Sequence, residues 1–107
     1  MTYYINIKKP AKDFIDSLDK PTKEKIVGSI ENLSKDPTGK GKYIGKLYSK
    51  IPFFEKRLFF GAGYRIYYSV YKQTIVIDSI SYDGNLDILL VGTKQKQKKD
   101  ICQLKKS

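Results

Sequence analysis

The apolar pattern of this sequence predicts an α+β fold. In the first third of the chain, apolar residues recur at the three- and four-residue spacing of amphipathic helices. From Glu55 to Val91, runs rich in β-branched and aromatic residues alternate with glycine-containing turns, which is typical of strands. A chain of 107 residues can bury a modest core, so we expect a single domain over residues 1–107.

The N-terminal segment is predicted to contain one strand and then two helices. Tyr3, Ile5 and Ile7 show the two-residue period of a strand with one buried face, and Pro10 ends that pattern. The helices form a hairpin in which Pro21 suits the first turn of the second helix. Their apolar positions are Ala11, Phe14, Ile15, Leu18, Ile26, Ile30 and Leu33.

A lysine-rich segment follows, from Lys35 to Lys50, in which lysine alternates with glycine, tyrosine and threonine. We expect a mobile basic loop. Two roles are open for it: following a phosphate backbone without recognising sequence, or acting as a solvated connector.

The segment from Glu55 to Tyr71 is predicted to form a β-hairpin with a three-residue loop, Gly61–Gly63. Pairing Phe60 with Tyr64 and Leu58 with Ile66 places the apolar residues Leu58, Phe60, Ile66 and Val70 on the core side. A slip of one residue would mix them with arginines, so the apolar pattern favours this alternation. The opposite face then carries Glu55, Arg57, Phe59, Arg65, Tyr67, Ser69 and Tyr71.

Two further strands are predicted, over Thr74–Tyr82 and Leu86–Val91, with the Asp83–Gly84 pair as a turn between them. The second is almost continuously apolar, which suggests a central strand covered on both faces. The lysine-rich tail is predicted to be a short basic helix or a frayed end, capped by Thr93. Gln97, Ile101 and Leu104 would form a narrow seam at helical spacing.

The composition restricts the possible partners and chemistry. The formal net charge of +10 points to a polyanionic partner such as nucleic acid, with an acidic protein or a membrane surface as alternatives. Cys102 is the single cysteine and histidine is absent, which excludes an internal disulfide, the common zinc sites and a Cys–His nucleophile pair. We expect Cys102 to be inert packing. No long apolar run or signal core is present, so we expect a cytoplasmic protein.

Arg57 and Arg65 are the only arginines among 21 basic residues. A guanidinium group can bind a phosphate through two parallel hydrogen bonds, which a lysine ammonium cannot do. The two arginines therefore suggest a phosphate site. The alternative is chance placement with a surface salt bridge.

Three spaced patterns in this region resemble a known family. They are Glu55-x-Arg57, then Gly61-x-Gly63-Tyr64-Arg65-x-Tyr67, then Gly92-x-Lys94-x-x-Gln97-x-x-Asp100-Ile101. Together they resemble the RelE/ParE toxin superfamily, in particular its HigB-like addiction-module killer proteins, over most of the chain. Val91 and Thr93 depart from the family pattern, and the connection from Tyr68 to Leu86 is longer than usual, as if a strand or hairpin were inserted.

The resemblance implies a RelE-like α+β fold, with two N-terminal helices packed on a twisted antiparallel sheet and a short C-terminal helix. It also implies the toxin of a type II toxin–antitoxin system, neutralised by a cognate helix-turn-helix antitoxin in a hetero-oligomer. For the RelE-like branch it implies an endoribonuclease that cuts mRNA, usually on the ribosome, without a metal or other cofactor. ParE-like members instead bind DNA gyrase without nuclease activity, and a degenerate member would bind only its antitoxin.

RNA cleavage without a metal requires a base for the 2′-hydroxyl, positive charge at the phosphate and a proton for the leaving oxygen. Glu55 is the candidate base, because it is the only acid between Asp36 and Asp78 and lies on the arginine face. Its alternative role is to hold Arg57 or Arg65 in an ion pair. We assign Arg65 to the transition-state phosphate, with Arg57 in support.

Two further residues complete the candidate site. Tyr67 can stack on a base or donate a proton, or simply pack in the sheet. Lys94 corresponds to a basic residue of the family pattern and can contact phosphate or act as the acid, whereas Tyr64 is expected to pack in the core. A metal-dependent nuclease is disfavoured because the acids are scattered. The lysines assigned to RNA binding are Lys40, Lys42, Lys46, Lys56, Lys96 and Lys98.

Overall fold

The computed structural model describes residues 2–107 and begins with a strand, β1 (Tyr4–Ile7), followed by the helices α1 (Lys9–Asp16) and α2 (Lys20–Lys35). A short helix, α3 (Pro37–Lys40), leads into the strands β2 (Lys42–Lys46), β3 (Pro52–Leu58) and β4 (Tyr64–Tyr71). A small hairpin, β5 (Ile75–Ile77) and β6 (Ile80–Tyr82), precedes the longest strand, β7 (Asn85–Thr93). A 3-10 turn over Lys94–Lys96 then opens α4 (Gln97–Lys105).

Five of these strands form the main sheet, in the order β1-β7-β4-β3-β2. All neighbouring pairs are antiparallel except β1 and β7, which run parallel with Asn6 opposite Asp87. The antiparallel sheet expected from the resemblance is therefore wrong, since the sheet is mixed. The strand that precedes the two helices is the one predicted from the alternation of Tyr3, Ile5 and Ile7. No tight hairpin joins β1 to β7, so nothing in the connection forces them to be antiparallel.

The predicted helical hairpin is confirmed. Ala11 and Ile15 of α1 are buried, as are Ile26, Ile30 and Leu33 of α2. Pro21 lies in the first turn of α2, and the Asp19 side chain caps that helix by accepting a hydrogen bond from the Thr22 amide at 3.3 Å.

The two faces of the sheet carry separate cores. Helices α1 and α2 cover one face, where Leu58, Ile66 and Tyr68 are buried. Helix α4 covers the other face, where Phe53, Tyr67 and Leu104 are buried. Strand β7 contributes apolar side chains to both cores, which confirms the predicted central strand.

The predicted register of the β3–β4 hairpin is wrong by two residues, although the predicted faces are right. Leu58 pairs with Tyr64 rather than with Ile66, because the loop has five residues, 59–63, instead of the predicted three, Gly61–Gly63. Gly61 and Gly63 adopt the positive φ angles of 58° and 84° that the turn requires. Because side chains alternate with a period of two, a shift of two residues leaves every side chain on its predicted face.

The expected mobile loop over Lys35–Lys50 is instead structured. The Asp36 side chain caps α3 by accepting a hydrogen bond from the Gly39 amide at 3.2 Å, and the Tyr68 hydroxyl donates to the Pro37 carbonyl at 2.7 Å. Strand β2 then pairs with β3 along the edge of the sheet. Pairing with a neighbour therefore decides the structure of a segment that shows no strand periodicity of its own.

The predicted strand over Thr74–Tyr82 is two strands, β5 and β6, which pair only with each other. Asp78 and Ser79 form their two-residue turn, with φ angles of 51° and 66°. The expected turn at Asp83–Gly84 is a bend between β6 and β7, where an added Cβ at Gly84 would collide with the Tyr71 carbonyl oxygen. The long connection thus inserts a hairpin outside the main sheet.

The C-terminal tail forms a helix, α4, and not a frayed end. Thr93 precedes the 3-10 turn but makes no side-chain capping bond, so the predicted cap is wrong. Cys102 is exposed on α4 and not packed. Among residues 2–107, none of the helices is long and apolar enough to cross a membrane.

Candidate functional site

Glu55 lies at the centre of a polar cluster on the α4 face of the sheet. It belongs to β3, is only 1% exposed, and uses both carboxylate oxygens. The Arg57 Nε donates to Oε1 at 2.9 Å, and the Gln97 Nε2 donates to Oε2 at 2.8 Å. A buried carboxylate needs such partners, since an unpaired charge in the interior is strongly unfavourable.

Arg65 places a second guanidinium beside the same carboxylate. It pairs with Arg57 across the β3–β4 ladder, and its Nε lies 3.9 Å from the Glu55 Oε2. Its Nη1 donates to the Tyr64 carbonyl at 3.2 Å, while its buried Nε makes no hydrogen bond with any described residue. Two guanidinium groups therefore share the Glu55 carboxylate.

Tyr67 lies opposite Glu55 in the same ladder, with its ring in the core beneath α4. Its hydroxyl is buried and makes no hydrogen bond of ordinary geometry within residues 2–107. Burial raises the pKa of Tyr67 well above its usual value, and the nearby charges of Glu55 and Asp100 raise it further. Tyr67 is therefore a protonated hydroxyl at neutral pH.

Helix α4 closes the cluster from above. Gln97 in its first turn binds Glu55, and Leu104 in its last turn is buried against the sheet. Between them, the Asp100 carboxylate lies against Gly92, where an added Cβ would collide with it. Burial raises the pKa of Asp100, although Lys96 and Lys99 partly offset this effect. The helix thus contributes a polar residue, an acid and an apolar anchor to this face.

Arg57 and Lys94 are the most exposed members of the cluster. The Arg57 side chain is 44% exposed, and Lys94 is exposed in the 3-10 turn. Arg57 lines a shallow depression of about 380 Å³ together with Lys40, Lys42 and Lys56, where β2 ends opposite Glu55 and leaves the edge of β3 open. Arg65 and Lys94 line a second depression of about 200 Å³ beside the glycine turn.

The structure thus brings together most of the residues predicted for the site. Glu55, Arg57, Arg65 and Tyr67 lie in one cluster, with Lys94 at its rim. The remaining predicted lysines are exposed but line neither depression: Lys46 pairs with Pro52 at the other end of β2, and Lys96 and Lys98 lie at the start of α4. Tyr64 packs against the first core, as predicted.

Gln97 was predicted to lie on the helical seam of the tail but not to belong to the site, although its spacing gave a signal. Gln97 shares the helical spacing of Ile101 and Leu104, so it had to face the sheet. A polar side chain on the apolar seam of a helix needs a buried partner, and here that partner is Glu55.

No protein-family model matches this chain, and no curated protein matches it in sequence. Among residues 2–107, no group of three or more acidic or cysteine side chains is placed to hold a metal ion.

Proposed function

We propose that this protein is the toxin of a type II toxin–antitoxin system and a metal-independent endoribonuclease that cuts mRNA on the ribosome. The observation that carries the proposal is the Glu55 carboxylate held beside two guanidinium groups on one sheet face. A base and positive charge next to each other are what cleavage by the 2′-hydroxyl needs.

The chemistry assigns one role to each group. Glu55 takes the proton of the ribose 2′-hydroxyl, the 2′-oxygen forms a bond to phosphorus, and the bond from phosphorus to the 5′-oxygen breaks. Arg57 and Arg65 neutralise the extra negative charge on the phosphoryl oxygens. Lys94, at the rim beside Arg65, donates the proton that the leaving 5′-oxygen requires. The products are a 2′,3′-cyclic phosphate and a 5′-hydroxyl.

Substrate binding has to uncover the base, because the Glu55 side chain is fully buried and Gln97 occupies its Oε2. The proposal therefore includes release of Gln97 from Glu55 when RNA binds. A requirement of this kind fits a toxin that depends on the ribosome to position the message, since correct placement of reacting groups supplies a large part of catalysis.

The resemblance to the RelE/ParE superfamily adds to this proposal. Helices α1 and α2 on one sheet face and a C-terminal helix are features that the resemblance implies, whereas the parallel pairing of β1 with β7 departs from it. The +10 charge suits RNA and a ribosome as partners, and a helix-turn-helix antitoxin is the proposed inhibitor.

A second candidate function is a ParE-like toxin that binds gyrase and cleaves nothing. One observation favours it: both oxygens of Glu55 are engaged and its side chain is covered, as in a structural ion pair. In that case Glu55 would serve to orient Arg57 for contact with a partner.

Induced expression in bacteria separates the two candidates. The nuclease predicts loss of translation with mRNA cuts at defined codon positions, mapped by sequencing RNA 5′ ends. A gyrase toxin predicts intact mRNA and induction of the SOS response.

Glu55→Gln tests the proposed base, because the amide keeps the size of the side chain and can accept a hydrogen bond but cannot take a proton. We expect cleavage to slow by about 10²- to 10⁴-fold, while ribosome binding changes little. Glu24→Gln is the matched control, because it removes an equal charge from an exposed position of α2 and should leave cleavage unchanged. An equal loss of cleavage and binding in Glu55→Gln would make Glu55 a structural partner of the arginines.

A further inference from the structure

We propose that Phe59 is a stacking platform for an unpaired base of single-stranded RNA, and that the depressions on its two sides bind the adjacent phosphates. The inference rests on the proposed function in one respect, namely that the partner is RNA. It assigns the part of the surface that holds the substrate in place, which is separate from the groups that act on the bond.

Phe59 is the most exposed large hydrophobic residue of the described chain, with 86% of its surface accessible. It follows the last residue of β3 and belongs to neither core. The next residue, Phe60, behaves differently, since its ring packs against Tyr64 with a centroid distance of 5.3 Å and joins the first core. Packing in the core therefore accounts for an aromatic side chain at Phe60, whereas no packing contact within residues 2–107 accounts for the one at Phe59.

Phe59 lines both depressions described above, so its ring separates them. On one side lie Lys40, Lys42, Lys56 and Arg57, with Glu55 as the single carboxylate. On the other side lie Arg65, Lys94 and the backbone of the glycine turn. An aromatic ring thus stands between two groups of cations.

Single-stranded RNA has the matching pattern, because its phosphates alternate with bases that are free to unstack. An exposed aromatic ring stacks on any base, while flanking cations bind the backbone. A protein partner with an apolar pocket could also take Phe59, but it would have to neutralise six cationic side chains around the ring. The charge therefore favours a polyanion with unpaired bases.

The test measures binding of a short, fluorescently labelled single-stranded RNA by anisotropy, with Glu55→Gln in every chain to prevent cleavage. Phe59→Ala should weaken binding about ten-fold or more, and Phe59→Trp should restore or improve it. The control is Tyr48→Ala, because Tyr48 is 78% exposed in the turn at the opposite end of β3. Circular dichroism confirms that each variant is folded.

The salt dependence of RNA affinity separates the contribution of base stacking from that of phosphate contacts. Phe59→Ala should leave the slope of log affinity against log salt unchanged, whereas Lys42→Ala should reduce it by about 1. Fully paired RNA of the same sequence should bind more weakly, since its bases are not free to stack. Equal binding of duplex and single strand, an unchanged affinity in Phe59→Ala, or an equal loss in Tyr48→Ala would overturn the inference.

The inference and the proposed function fail separately. If single-stranded RNA binds with the expected dependence on Phe59 but induced expression of the wild-type chain leaves mRNA intact, the nuclease fails and the inference stands. If mRNA is cut and Phe59→Ala binds RNA like its parent, the inference alone is overturned.

Discussion

At the scale of single residues, the polar cluster contains more positive than negative charge. Arg57 and Arg65 have one carboxylate between them, and Arg65 is buried with Glu55 as its nearest acid. An anion entering this face would provide the missing negative charge and give the unpaired Arg65 Nε an acceptor. The cluster therefore keeps an unused buried donor, the Arg65 Nε, beside an excess of cationic side chains.

Tyr67 gives a test of that environment, because its hydroxyl is buried without a hydrogen-bond partner among residues 2–107. Tyr67→Phe removes only the hydroxyl, so we expect a free energy of unfolding at pH 7 equal to the parent's or higher by up to about 1 kcal/mol. Urea unfolding measures the difference. A clear loss of stability would mean that the hydroxyl has a partner in solution, with Glu55 the nearest candidate.

The same variant should change the response to alkaline pH. The folded-state pKa of Tyr67 is raised above the usual 10.0, so its contribution to stability is complete below that pH and is lost as pH rises toward the folded-state pKa. A single group of this kind lowers stability by up to about 1.4 kcal/mol per pH unit. Tyr67→Phe should therefore lose less stability than the parent between pH 10 and 11. Tyr68, whose pKa burial raises to about 12, remains in both proteins.

The sequence predicted which residues share the site face but not how they contact one another. Alternation along β3 and β4 was sufficient to place Glu55, Arg57, Arg65 and Tyr67 together, and the error of two residues in register did not affect it. The contact from Gln97 to Glu55 joins positions 42 residues apart. No local pattern specifies which residue a polar side chain on a distant helix will meet.

At the scale of elements, α4 is held over the site by a mixture of favourable and unfavourable contacts. Asp100 is one of the unfavourable groups, since burial raises its pKa above the usual 3.8. Its contribution to stability is present below that pH and is lost as pH rises through the folded-state pKa. We expect Asp100→Asn to be slightly more stable than the parent at pH 7, by less than about 1 kcal/mol, with the difference vanishing toward pH 3.

Urea unfolding at several pH values measures this effect, and Asp13→Asn is a suitable control because Asp13 is exposed and bonded to Lys9. If Asp100→Asn is instead less stable at every pH, then the carboxylate anchors α4 by an interaction that the amide cannot make.

The β5–β6 hairpin offers a separate prediction, because Ser79 occupies a left-handed conformation with φ of 66°. A non-glycine residue there is strained, whereas Asp-Gly is a favoured sequence for this turn. Ser79→Gly should stabilise the hairpin by about 0.5–1 kcal/mol, which corresponds to roughly 2- to 5-fold slower amide exchange in β5 and β6.

Ser81→Gly is the matched control, since Ser81 lies within β6 and glycine weakens a strand interior. Ser81→Gly should speed amide hydrogen exchange in β5 and β6. If Ser79→Gly also speeds exchange, then the turn at Asp78–Ser79 is not the one described.

Elements with strong periodicity were predicted well, and elements created by pairing were not. The helical hairpin and β7 have apolar patterns that fix their structure locally. Strand β2 has the sequence KYIGK, with a glycine and terminal lysines, and is a strand because β3 lies beside it. The turn at Asp78–Ser79 was missed because neither residue is the glycine that usually marks such a turn.

At the scale of the whole molecule, 21 basic residues face 11 acidic ones. Mutual repulsion of this excess charge destabilises the compact state, and added salt screens it. We expect the melting temperature to rise by roughly 2–6 °C between about 0.05 and 0.5 M NaCl.

Differential scanning calorimetry measures this shift, with an equal osmolality of sucrose as a control for general solvent effects. A melting temperature that falls with salt would mean that ion pairs such as Lys12–Asp16, at 2.7 Å, outweigh the repulsion.

The global arrangement was the least predictable level. The sequence indicated a sheet with helices, but the parallel pairing of β1 with β7 depends on how the whole chain returns to its start. Neighbouring strands in sequence are constrained by their turns, whereas these two are constrained only by the faces they bury.

That parallel pairing also determines when the fold can be completed while the chain is being synthesised. Strand β1 leaves the ribosome first but has no partner until β7 has emerged, and Gln97 follows later still. Every chain that terminates before the β7 codons therefore lacks the strand between β1 and β4 and the α4 contact to Glu55. A nuclease with this fold that cut its own message upstream of those codons would yield only inactive fragments, so its production would limit itself.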